Sequence, residues 1–146
     1  VTEVVTVEHH GRIALARCHG ELDLSVRDEL RGRLVALPSR EVHSVVLDLS
    51  DVTFLDCAAL SAVIALAREC AHTDVRLLLA GVPGIGWRLM DVLQLTDHFV
   101  IASTLEQAMA LAEAWVELAG PPAQPPSPFL PRPPHLAALD PDQGIS

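Results

Sequence analysis

Apolar and polar positions fall into short runs whose period changes several times along the chain, and each change marks an element boundary. Residues 3–8 and 12–18 are two β-prone runs separated by His9, His10 and Gly11, the pattern of a hairpin with Gly11 at its turn. After Gly20 the spacing of ELDLSVRDELRGRLVAL becomes helical, with Leu30, Leu34 and Leu37 on one face and Asp28 and Glu29 in the first turn. Ser25 is the expected N-cap of this helix and Pro38 its stop. Val45, Val46, Leu47 and Leu49 then read as a buried strand, ended by a turn at Ser50 and Asp51. Helical spacing returns with Leu60, Val63, Ile64 and Ala67, which predicts a helix from about Ala58 to Ala71 with Asp56 at its entrance.

Val75 to Ala80 is a second continuous apolar run, and Gly81 ends it. Strand, helix and strand in that order make a parallel, largely buried pair. Further on, the pattern predicts a short helix from Gly84 to Leu93, a strand from Phe99 to Ala102 and a helix from Thr104 to Leu118. The apolar stripe of the last helix is Leu105, Ala108, Met109, Ala112, Trp115 and Val116.

The 146 residues, 50% of them hydrophobic, suit one domain with a real core. Composition shifts beyond Ala119, because nine of the eleven prolines lie between Pro121 and Pro141. Residues 1–118 are therefore expected to form the domain and 119–146 a Pro-rich disordered tail, partly polyproline II. The tail segment PSPFLPRPP has PxxP spacing, which suits an aromatic groove, although a plain linker is the simpler reading.

Charge narrows the partners. The net charge is -9, no Lys is present and the ten Arg form no basic block, so the footprint of a nucleic-acid binder is missing. Aromatics at 3%, with no Tyr, leave little surface for stacking bases. Cys18, Cys57 and Cys70 form no CxxC pair, which fits a reducing cytoplasm rather than a disulfide framework. No uncharged apolar run approaches the roughly 18 residues that span a bilayer, so direct membrane insertion is not expected and the expected location is cytoplasmic.

Candidate chemistry concentrates at Asp56. A helix entrance carries unpaired N–H groups and the positive end of the helix dipole, where an anion is held at least cost. The phrase GELD at Gly20 to Asp23, and LDLSDVTFLD at Leu47 to Asp56 leading into a helix, make the chain resemble the STAS domain, and more narrowly the free-standing bacterial anti-sigma-factor antagonists. The likeness covers about residues 3–118. It implies an α/β fold with a mixed β-sheet of four to five strands flanked by about four helices. It also implies a binding protein, not an enzyme, without cofactor or metal.

In that family the FLD-like segment continues with Ser, then Ser or Thr, then Gly, and an anti-sigma-factor kinase phosphorylates the second of these, which switches off binding. Here Asp56 matches, but Cys57, Ala58 and Ala59 follow, so Ala58 stands at the phosphoacceptor position. A methyl group accepts no phosphoryl group. The resemblance thus implies an anti-sigma factor of the GHKL-type serine kinase kind as partner, a binding surface of Asp23, Asp56, Cys57, Ala58, Ala59 and Ser61, and no ordinary phosphorylation switch. A STAS accessory subunit of a membrane-transport or scaffold complex is the alternative that needs no switch.

Cys57 offers a third reading, a redox sensor, because a thiol at a helix N-terminus can become a reactive thiolate. The simpler reading is a small residue substituting for Ser. Asp23, Asp51 and Asp56 are carboxylates that could serve acid/base or metal chemistry, yet capping and turn formation are their ordinary roles. GVPGIGWRL follows a strand and opens a helix but carries Leu89 where a dinucleotide loop has its last glycine. Ser25, Ser50, Thr53 and Ser61 are nearby hydroxyls whose ordinary roles are also caps and turns.

Overall fold

The structure, a computed structural model, describes residues 4–119. Strands β1 (Val5–His10) and β2 (Ile13–Leu22) form the hairpin, turning at Gly11 with φ 61°. Then follow α1 (Arg27–Val35), β3 (Ser44–Leu55), α2 (Cys57–Thr73), β4 (Arg76–Ala80), α3 (Gly84–Val92), β5 (Val100–Ala102) and α4 (Leu105–Ala119). The five strands lie in chain order, β1 antiparallel to β2 and the other three pairings parallel. This is the mixed sheet with four flanking helices that the resemblance implies.

Successive strand side chains point to opposite faces, and the sequence fills both. Val45, Leu47 and Leu49 of β3 meet Leu30 and Leu34 of α1, Leu60, Val63, Leu66 and Cys70 of α2, and Met90 of α3. Val46, with Ile13, Leu15, Leu78 and Ala80, turns to the other face, where Ala108 and Ala112 of α4 lie flat on the sheet. Two alanines at the contact line let α4 approach closely, while Leu105, Met109, Trp115 and Val116 close the flanks, the same stripe that the periodicity predicts.

Three expectations are corrected. Ser50 and Asp51 make no turn: β3 continues to Leu55, pairing with β2 as far as Leu22 opposite Leu55, with register shifts that absorb the polar pair. Asp48 explains how, since its buried carboxylate accepts the Ser50 N–H at 3.0 Å and the Ser50 hydroxyl at 2.6 Å, a turn-type contact made inside a strand. Ser25 is not the N-cap of α1; a 3-10 turn, Leu24–Val26, capped by Asp23, precedes that helix. His9 and His10 complete β1 rather than forming the turn. The expected tail lies outside the described residues. Among the described residues no helix is long and apolar enough to cross a membrane.

Candidate functional site

Because β2 and β3 are parallel and in register at Leu22 and Leu55, they leave the sheet side by side, and both leave through an aspartate. Asp23 and Asp56 adopt nearly the same extended backbone, φ -126° with ψ -173° and φ -111° with ψ -178°. The Asp23 carboxylate accepts the Ser25 N–H at 3.0 Å and the Ser25 hydroxyl, and so starts the 3-10 turn. The Asp56 carboxylate accepts the Ala59 N–H at 3.0 Å and starts α2. A backbone bond from Asp56 N–H to the Leu22 carbonyl, 3.2 Å, ties the two exits together. The two acids that are far apart in sequence are thus neighbours, each engaged as a cap.

The first turn of α2 presents a small and uncharged surface. Cys57 is exposed, Ala58 half-buried, and Ser61 exposed one turn further, its hydroxyl donating to the Ala58 carbonyl. Ala59 belongs below this surface: its methyl group is fully buried in the core and its N–H is held by Asp56. Around the caps lie apolar side chains that no sequence pattern singles out. Leu24, directly after Asp23, is 63% exposed, and Phe54, two residues before Asp56, is 41% exposed. The start of α3 closes the end of β3, since a Cβ on Gly86 would come within 3.1 Å of Leu55 Cδ2, and this helix exposes Ile85 and Trp87. Periodicity finds such positions only when they are buried, so exposed apolar residues at strand ends go unseen.

Two further features hold this end of the sheet. A Cβ on Gly81 would lie 2.1 Å from Ser50 Oγ and 3.1 Å from Ser50 Cα, and φ there is 64°, so only glycine fits where β4 passes the Asp48–Ser50 contact. Asp51 lies 3.6 Å from His19 Nδ1, and His19 Nε2 lies 3.1 Å from Thr6 Oγ1, a polar chain across three strands.

The other thiols are inert core groups. Burial, and then the Asp48 charge, pushes Cys18 up to about 12; burial, and then Glu69, pushes Cys70 up to about 12. Neither can supply a thiolate near neutral pH. Among the described residues no group of three or more His, Cys, Asp or Glu side chains is placed to hold a metal ion.

An α/β sheet of this order, with helix α2 capped by an aspartate at the end of its central strand, is the arrangement of the STAS domain. The STAS domain family model matches residues 4–108, and the chain belongs to that family. Among solved structures, the anti-sigma factor antagonist SpoIIAA in its unphosphorylated form is similar at 18% identity and TM-score 0.60, over 77% of this chain and 99% of that one. An anti-sigma factor antagonist from Mycobacterium paratuberculosis is 20% identical with TM-score 0.64, over 75% and 92% of the two chains. A sulfate transporter family protein from Wolinella succinogenes is 21% identical with TM-score 0.60, over 72% and 88%. At these identities the likeness is one of fold. No curated protein sequence is significantly similar to this one.

Proposed function

We infer that this domain is an anti-sigma-factor antagonist, which docks an anti-sigma factor of the GHKL-type serine kinase kind and so regulates sigma-factor-dependent transcription. The observation that carries the reading is the first turn of α2. Asp56 caps it beside Asp23, and it offers Cys57, Ala58 and Ser61 as a small, uncharged platform with Leu24 and Phe54 exposed nearby. Small residues let a partner's backbone approach closely, and exposed apolar side chains beside them supply the desolvated anchors that dominate interface energy. Ala59 supports the platform from below.

Ala58 makes the platform permanent. A phosphate of about -2 charge at this helix entrance would change both field and shape, and alanine cannot carry it. The antagonist therefore stays in its binding form when its kinase holds ATP.

Calorimetric titration of the domain with the anti-sigma factor kinases of its own organism tests the reading. Saturable binding to one of them, weakened by Leu24→Asp and Phe54→Asp, is the expected result; failure to bind any of them overturns it.

The likeness to the Wolinella sulfate transporter family protein favours a second reading, an accessory STAS subunit of a membrane-transport complex. Affinity capture separates the two, because recovery of an ABC-transporter ATPase in place of a GHKL-type kinase supports the second.

A further inference from the structure

Helix α4 ends on an unbalanced charge. Glu113 and Glu117 stand one turn apart near its C-terminus, and its last turn holds no basic residue. Like charges four residues apart repel each other, and the negative end of the helix dipole adds to the cost, so this end of α4 favours a cation. Among the described residues neither carboxylate has an ion pair. Both line a cavity of about 240 Å³ that opens between α4 and the β1–β2 hairpin, together with Val116 from the helix and His10, Arg12 and Ile13 from the hairpin. Arg12 already has a partner. The chain runs on from the lip of this cavity, since Ala119 ends α4 two residues after Glu117 and residues 120–146 follow. The only Lys or Arg among those residues is Arg132, and the only Phe, Trp or Tyr is Phe129.

We propose that residues 128–134 of the same chain, PFLPRPP, dock in this cavity, with Phe129 against Ile13 and Val116 and Arg132 bridging Glu113 and Glu117. Proline-rich sequence favours a left-handed helix of three residues per turn, so side chains at i and i+3, here Phe129 and Arg132, share one side about 9 Å apart. A guanidinium carries five donors, enough to serve two carboxylates at once. Ten residues separate Ala119 from Phe129 and span up to about 31 Å when extended, against about 9 Å from Ala119 back to Glu113 along the helix, which leaves slack for the reversal. The tether supplies a millimolar effective concentration, so modest contacts suffice. The segment lies beyond the residues 4–108 that the family model matches. It seats at the strand starts, away from Asp23 and Asp56, so this assignment and the docking account stand independently.

NMR of the full chain tests the assignment. Nuclear Overhauser contacts from the Phe129 ring to the Ile13 and Val116 methyl groups are expected, at the same strength when the protein is diluted tenfold. Phe129→Ala should shift the Ile13 and Val116 resonances. Arg132→Glu should abolish the contacts, and combining it with Glu113→Arg and Glu117→Arg should restore them. Contacts that survive Arg132→Glu overturn the bridge to the two carboxylates. Contacts seen only between labelled and unlabelled copies mean that the tail of a second copy fills the cavity, and contacts from Phe129 to Leu24 or Phe54 place the segment on the docking surface; either result overturns the proposal. So does the absence of any contact, with Ile13 and Val116 unmoved in Phe129→Ala.

Discussion

At one end of the parallel strands the chain leaves the sheet through Asp23 and Asp56; at the other it enters through Arg12, His43 and Arg76. The acidic end is built from local contacts. Each carboxylate takes an N–H two or three residues ahead and starts a helix or turn, so the charge is matched to the helix dipole. The other end is built by strand pairing, with main-chain bonds from His43 N–H to the Arg12 carbonyl and from Arg76 N–H to the His43 carbonyl joining the starts of three strands. The first kind of arrangement organises backbone at helix and turn entrances. The second fixes no helix end and is held by main-chain bonds between strands.

Changes at the acidic end should be felt most at Gly81. Gly81→Val places a side chain against Ser50 and forces a β-branched residue to φ 64°, and should cost about 3 kcal/mol in urea denaturation. A variant that melts with the native protein would show that the Asp48–Ser50 contact does not hold the end of β4. The next contrast is chemical. Cys57 should react with a disulfide reagent at least about a hundredfold faster than Cys18 and Cys70, which are buried with thiols pushed up to about 12. Three equal rates would mean that the core around α2 opens readily.

Asp56→Ala should destabilise by about 1 kcal/mol, the usual worth of an N-cap. Asp23→Ala should cost less, because it starts only a three-residue 3-10 turn. Equal losses would place the structural weight of the acidic end on both exits alike.

The smallest effect belongs to the cationic end. The native His43 pKa lies below its ordinary 6.5, so the unfolded chain takes up a proton at a higher pH than the folded one does. Its contribution to stability is present above pH 6.5 and is lost as pH falls below that value through the lower native pKa. His43→Gln should flatten this part of the stability profile; a slope unchanged in the variant would assign it to another group.

The same contrast explains what was legible in the sequence. Asp56 is readable as a helix entrance because a cap, its N–H partner and the apolar stripe of α2 lie within a few consecutive residues. Asp23 and Ser25 are both good capping types two residues apart, and Asp23 takes the role by capping a 3-10 turn, Leu24–Val26, that has Ser25 inside it. Ser50 and Asp51 carry turn chemistry, but pairing with β2 keeps them in the strand, and Asp48 satisfies the locally freed N–H. The exposure of Leu24, Phe54, Ile85 and Trp87 and the stacking of Arg76 on Trp115 leave no local trace, since both arise from the way distant segments meet.

The most direct test of the docking account is to add ATP to the complex of the domain with its anti-sigma factor kinase, in parallel with the Ala58→Ser variant, and to follow dissociation. The account predicts that the native complex persists while the variant is phosphorylated and released. Release of the native protein on ATP, with phosphate found on Ser61 or another hydroxyl, would contradict it.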